Sequence, residues 1–141
     1  MNAAPELAAL AVVTRGDMVL LVKRGKAPDF GLWGFPGGRV ESGETIAQAA
    51  VRELLEETSV SATAGPVLGS KDVIVREGGR VTHNYMLIAV ACAYGTGEPI
   101  AGDDAAEARW VAVEDVFDGR LEMSDGVGDL LRQALDLRAA A

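Results

Sequence analysis

Residues 51–60 read VRELLEETSV, which sets Glu53, Glu56 and Glu57 on one short stretch of what the pattern predicts to be a helix. Like charges three and four residues apart repel. Glu56 and Glu57 also fall in the last turn, where the helix dipole disfavours negative charge. On a wheel at about 100° per residue with Glu53 at zero, Glu56 lies at about 300° and Glu57 at about 40°, so the carboxylates share one arc. Ala50, Val51, Leu54 and Leu55 occupy the adjoining arc and are expected to pack on a sheet, with the glutamates near the edge of that interface. A glutamate-rich helix face is ordinarily just solvated, but here Arg52 is the only nearby cation against the trio and Glu44. Such a cluster becomes favourable around Mg²⁺ or Mn²⁺, which prefer hard carboxylate oxygens and keep waters and substrate phosphates as further ligands.

Upstream of the helix, residues 24–44 (RGKAPDFGLWGFPGGRVESGE) form a loop dense in Gly and Pro. A structureless loop longer than about 12–15 residues inside a compact domain is usually functional. Before it, residues 7–14 and 18–23 are apolar and β-branched on either side of Arg15-Gly16-Asp17, which predicts a hairpin. The helix is expected from Thr45 to about Thr58, with Ser42 or Thr45 as its N-cap. Strands are expected at 67–75, 81–93 and 107–113, a short helix or turn at 114–119, and a closing amphipathic helix over 124–138 capped by Ser124. No linker, internal repeat or low-complexity tract divides residues 1–141, so one domain is expected. The order ββ-loop-α-βββ-α predicts an α/β fold, a mixed β-sheet with helices on its faces.

Composition narrows the function classes. Hydrophobic residues make up 49% and charged residues 24% of the chain, a globular profile. A net charge of −8 argues against a long nucleic acid partner, whose phosphates would need clustered Lys and Arg. It is compatible with a small phosphorylated substrate that cations bridge to the protein. The N-terminal segment has no basic region before its apolar run, and no stretch approaches the roughly 20 apolar residues of a membrane span. The single Cys92 excludes an internal disulfide and points to a reducing, cytoplasmic setting.

The spacing Gly38-x5-Glu44-x7-Arg52-Glu53-Leu54-x-Glu56-Glu57-x-Ser59-Val60 resembles the Nudix box of the MutT-like hydrolases, with eight of nine defined positions matched across residues 38–60. The flanking GLWGFPGG and EARWVAVEDV are similar to the family's neighbouring segments. The resemblance implies a Nudix-type α/β/α sandwich and a Mg²⁺- or Mn²⁺-dependent pyrophosphohydrolase. It further implies that Glu53, Glu56 and Glu57 bind the metal with the backbone carbonyl of Gly37, and that Arg52 pairs with Glu44 to orient the cluster. In such chemistry the metal neutralises the diphosphate and lowers the pKa of an attacking water, and a carboxylate takes the proton. Glu53 is the first candidate for that base. Some family members use an acid from a distant loop. Here that loop offers Asp104, taken as a supplementary ligand or base, with Asp103, Glu107 and Glu98 as alternatives.

Arg24 and Arg39 are the candidate phosphate-binding cations. Trp33 and Phe35 are expected to pack beneath the loop, Trp110 to sit in the core and His83 to be structural. Ser59 departs from the family pattern, which has Gly where the chain leaves the helix in a left-handed conformation. The substrate implied is a small nucleotide, either ADP-ribose-like or a nucleoside triphosphate, with a slight leaning to the former. The alternative is a non-catalytic Nudix module that senses a nucleotide. The family's isomerase branch needs a catalytic cysteine, and Cys92 lies mid-strand in an apolar run. A homodimer is open, since relatives form them and no apolar stripe here demands one.

Overall fold

The computed structural model describes residues 4–140; residues 1–3 and 141 lie outside it. Strands β1 (Glu6–Arg15) and β2 (Met18–Arg24) form the expected hairpin, but they pair only at its tip, Thr14 with Val19 and Arg15 with Met18. Beyond the tip they part. β1 runs parallel to β6 (Arg80–Thr96) over nine register positions, while β2 pairs antiparallel with β7 (Ala105–Ala112). The gap so opened on the free side of β1 is filled by the Gly-rich segment, which is not structureless. It contributes β3 (Trp33–Gly34) against β2 and β4 (Gly37–Arg39) against β1. β5 (Ser61–Glu77) closes the order β3-β2-β1-β6-β5. The β5–β6 hairpin is longer than the predicted strands because alternation continues through residues 61–66 beyond a register shift between Ala64 and Val67.

Helix α1 (Ile46–Thr58) covers one face of this mixed sheet, against Ala9, Ala11, Val13, Leu20, Val60 and Val90. Helix α3 (Val127–Ala140) covers the other, where Val12, Leu21, Phe35, Ala89 and Val111 meet Leu131 and Ala134. The alternation of odd and even residues along β1 is therefore what separates the two cores. Between β7 and α3 lies the short α2 (Val113–Phe117), as expected at that position. Trp33 and Phe35 are buried, as expected, and Trp110 packs only partly buried against the α1-side core. Ser124 does not cap α3. Its N–H bonds the carbonyl of Trp33, and a turn at Asp125–Gly126 separates it from the helix.

Thr45, and not Ser42, caps α1 through a reciprocal box: the Thr45 hydroxyl accepts from Gln48 N–H and the Gln48 amide oxygen accepts from Thr45 N–H. The face that α1 buries also differs from the expected one. Ala49, Ala50, Leu54, Glu57 and Thr58 are buried, whereas Leu55 is 50% exposed. Ala49 and Glu57 flank Glu53 on the wheel, so the helix is rotated to carry Glu57 into the packed interface and half-bury Glu53, while Glu56 stays exposed at the rim. At the C-terminus Ser59 adopts φ 63°, ψ 10° with its N–H on the carbonyl of Leu55, which is the left-handed exit that ordinarily favours Gly.

Candidate functional site

Two loops and one helix converge at the outer edge of β4. Because β4 has β1 on only one side, the N–H of Gly37 turns outward and donates to Oε1 of Glu57 at 2.7 Å. Beside it, Gly38 lies directly under the Glu53 carboxylate, close enough that any Cβ at position 38 would collide with it. The tight Gly37–Gly38 pair thus lets a buried helix bring two glutamates against backbone.

Arg52 holds the remaining carboxylates. Its Nε and Nη2 bond the two oxygens of Glu44 at 2.6 and 2.9 Å, and its Nη1 reaches Glu53 at 2.9 Å and Glu56 at 3.2 Å. Nη2 also bonds the carbonyl of Arg39 at 3.0 Å, tying α1 to β4. A planar five-donor guanidinium is suited to such a fan of acceptors. The contact with Arg52 holds the Glu44 carboxyl down at about 2, and the same contact raises Arg52. Glu53 is instead raised by burial, which outweighs the opposing pull of Arg52. Glu57 is pushed up to about 7, chiefly by burial, against the lowering effect of the Gly37 N–H and with a further upward push from the Glu53 charge. Both groups are carboxylates held where their charged forms are under-solvated.

The third wall comes from the segment between β6 and β7. It docks on the C-terminus of α1 by donating Ile100 N–H to the Thr58 carbonyl and Gly102 N–H to the Glu57 carbonyl, each at 2.9 Å. These bonds satisfy helix-end acceptors that have no partner within the helix. Gly102 passes so near the carbonyl of Glu56 that a Cβ would stand 2.6 Å from it. The next residue, Asp103, turns at φ 51° and brings its carboxylate to the cluster. Ligand oxygens of Glu53, Glu56 and Asp103 lie within 4.8 Å of one another.

That donor set, all hard carboxylate oxygen with Glu53 half-buried and Glu56 and Asp103 open to water, fits Mg²⁺ or Mn²⁺, which keep waters as further ligands, and would suit a softer metal poorly.

The other loop acids are each paired with a cation, Asp104 within the same cleft. Asp104 pairs with Lys26 at 2.7 Å, Glu107 with Lys23 at 3.6 Å and Glu98 with Arg15 at 3.1 Å. Of the four weighed from the sequence, Asp103 is thus the one placed with the glutamates, and nothing in the spacing of two adjacent aspartates could have chosen between them. Arg24 bonds the Pro28 carbonyl through Nε, and its charge favours ionised Glu57. Arg39 pairs with Glu6 at 3.0 Å and hydrogen-bonds Tyr85. Both arginines line one cleft of about 770 Å³ together with Gly37, Glu53, Glu57 and Asp103. Glu44, Glu56 and Arg52 are not part of that lining, though Glu56 reaches Glu53 and Asp103 in it. His83 is apart from the site, opposite Val75 on the outer part of the β5–β6 hairpin. Cys92 is buried, and burial pushes its thiol up to about 11, away from any nucleophilic role at neutral pH.

The sandwich and its convergent carboxylates define the class of protein that residues 38–60 led one to expect. The NUDIX domain family model matches residues 4–133, and the chain belongs to that family. It is 28% identical over 120 residues to an uncharacterized Nudix hydrolase of Bacillus subtilis, covering 85% of this chain and 73% of the relative. It is 35% identical over 106 residues to an ADP-ribose pyrophosphatase of Methanocaldococcus jannaschii, covering 75% of this chain and 61% of that protein. Among solved structures, the MutT NUDIX hydrolase of Burkholderia pseudomallei superposes with a TM-score of 0.79 at 26% identity, over 93% of this chain and 98% of that one. Among the described residues no helix is long and apolar enough to cross a membrane.

Proposed function

We propose that this Nudix pyrophosphohydrolase cleaves the diphosphate linkage of a small nucleoside diphosphate derivative, ADP-ribose or a nucleoside triphosphate, with Mg²⁺ or Mn²⁺ as cofactor. The observation that carries the reading is the convergence of Glu53, Glu56 and Asp103 within 4.8 Å beside a cleft that Arg24 also lines. Four like charges crowded around one arginine are costly unless a cation and an anionic substrate complete the site. The residues that would hold the metal are Glu53, Glu56, Glu57 and the carbonyl of Gly37, with Asp103 as the loop acid in place of Asp104. When bound, the metal neutralises phosphate oxygens and makes water a better nucleophile.

The chain supplies the rest. Arg24 and Arg39, which both line the cleft, hold phosphate oxygens. Arg52 fixes the rotamers of Glu44, Glu53 and Glu56, so the acidic groups need no reorganisation on substrate entry. Glu53 takes the proton from the attacking water, and burial makes it a stronger base than an exposed glutamate. The kinship with an ADP-ribose pyrophosphatase supports the ADP-ribose arm of the proposal, and the lone buried Cys92 supports a reducing, cytoplasmic setting.

Product release from ADP-ribose, dGTP, 8-oxo-dGTP, a diadenosine polyphosphate and NADH tests the reading, with Mg²⁺, EDTA and Glu57→Gln as controls. Turnover of one compound that needs Mg²⁺ and is lost in Glu57→Gln is the expected result. A folded protein that binds a nucleotide and turns over none of the panel would make it a sensor.

A further inference from the structure

Strand β5 forms the outer edge of the sheet, with no described strand beside it, and its two halves differ. The first half carries Pro66 and register shifts against β6 at Ser61/Ala62, Ala64/Val67 and Val67/Gly69. Proline and bulges of this kind are common means of keeping a strand edge from pairing with another chain. From Gly69 to Val75 the register with β6 is unbroken. The shift that follows skips Thr82 on β6, so β5 continues through Glu77 with no extra residue.

This regular half of the edge reads Lys71-Asp72-Val73-Ile74-Val75-Arg76-Glu77. Laid antiparallel on a second copy about Ile74, it sets Lys71 opposite Glu77, Asp72 opposite Arg76, Val73 opposite Val75 and Ile74 opposite itself. Directly opposed residues share a face, where opposite charges and apolar pairs stabilise and like charges destabilise. A slip of one residue puts Lys71 against Arg76 or Asp72 against Glu77, and a parallel in-register pairing puts every charge against its like. Charges on a strand edge ordinarily block pairing. This order of signs penalises the neighbouring registers and admits one. The groups are also free to respond: Ile74 is 48% exposed, and among the described residues Asp72, Arg76 and Glu77 enter no ion pair. Lys71 holds Asp125, itself 92% exposed.

We infer that residues 71–77 of β5 are a self-recognition edge, on which a second copy of this chain pairs antiparallel about Ile74 to make one sheet continuous across a two-fold dimer. Such an interface is isologous, so each of the Lys71–Glu77 and Asp72–Arg76 pairs occurs twice. The charges of the segment cancel, so the contact itself is neutral although the chain carries −8. The bodies of the two copies stay apart. α3 meets β5 at Gly69 through Leu130 and Gln133, five residues and about 17 Å from Ile74. The two α3 helices therefore lie at opposite ends of the shared ribbon. Beyond Glu77 the partner's chain turns back at Gly78–Gly79, so it sets no bulky side chain against α3. A ribbon of this length is small among specific interfaces, and the dimer is expected to be a weak, micromolar one. The inference is independent of the hydrolytic reading.

The test is sedimentation equilibrium of the full chain at concentrations up to roughly 100 µM, suited to a weak interface. Salt of about 0.15 M screens the mutual repulsion of the two chains beyond about 8 Å. The variants are Arg76→Asp, which sets two like charges opposite at each end of the ribbon, and the double variant Asp72→Arg with Arg76→Asp, which restores both pairs with their signs exchanged. Both side chains are exposed, so neither change touches the core. The expected result is a wild-type dimer, a dissociation constant at least about tenfold higher in Arg76→Asp, and recovery of the wild-type value in the double variant. A wild type that stays monomeric throughout, a dimer indifferent to Arg76→Asp, or a double variant as weak as the single one overturns the inference.

Discussion

The N–H of Gly37 donates to Oε1 of Glu57 at 2.7 Å, joining the free edge of β4 to the buried face of α1. One hydrogen bond is a small return for burying a carboxylate, and Glu57 is pushed up to about 7 in consequence. The site is therefore poised: without a cation the acid and the carboxylate are comparably populated near neutral pH, and a bound cation would favour the carboxylate.

A pH dependence follows from that shift. The folded state holds the Glu57 proton between its ordinary value of 4.5 and about 7, whereas the unfolded chain has released it. The native state binds more protons in this window, so its contribution to stability is present below 4.5 and is lost as pH rises through about 7. The gap corresponds to about 3 kcal/mol at most. Glu44 acts in the opposite sense, with stability present above 4.5 and lost as pH falls toward about 2. Urea denaturation in EDTA at pH 5 and pH 8 should show the lower stability at pH 8, and Glu57→Gln should remove most of that difference. Equal stabilities would show that Glu57 is not under-solvated.

Gly38→Ala places a methyl group in the Glu53 carboxylate. Displacing a catalytic group by about 1 Å can cost about 10²-fold in rate. We expect a loss of that order in kcat with a much smaller change in melting temperature. A variant with wild-type kcat would mean that Glu53 can move without consequence.

Ser59→Gly should stabilise the protein. A non-glycine residue in the left-handed region costs about 1–2 kcal/mol, partly offset by the greater freedom that glycine gives the unfolded chain, about 0.4–1 kcal/mol. A net gain of about 0.5 kcal/mol with unchanged turnover is expected from urea denaturation. A loss would show that Ser59 makes a compensating contact.

The rotation of α1 can be checked with two leucines. Leu54 is fully buried and Leu55 is half exposed. Leu54→Ala should cost about 2–5 kcal/mol, while Leu55→Ala stays within about 1 kcal/mol. Similar losses in both would favour the packing arc read from the sequence.

How far the sequence carried the reading depends on which forces were local. The hairpin at Arg15-Gly16-Asp17, the span of α1 and its Thr45 cap follow from periodicity and side-chain hydrogen bonding within a few residues, and all three appear in the structure. β3 and β4 were not legible. Trp33–Gly34 and Gly37–Arg39 are too short to show alternation and exist only because β1 and β2 part and leave edges to pair with. The rotation of α1 was hidden for a related reason: a wheel ranks residues by polarity, and here the sheet edge accepts Glu57 through a backbone donor. The carboxylates of the helix were readable from their spacing. The choice of Asp103 over Asp104 was not, because it depends on the docking of residues 100–102 onto the helix end.

The most direct test of the central claim is a calorimetric Mn²⁺ titration of the wild type, Asp103→Asn and Asp104→Asn, run beside turnover of the best substrate. If Glu53, Glu56 and Asp103 form the hydrolytic centre, Asp103→Asn should weaken Mn²⁺ binding by about 10–100-fold and depress kcat with it, while Asp104→Asn has the smaller effect on both. Wild-type Mn²⁺ affinity and wild-type kcat in Asp103→Asn would contradict the account.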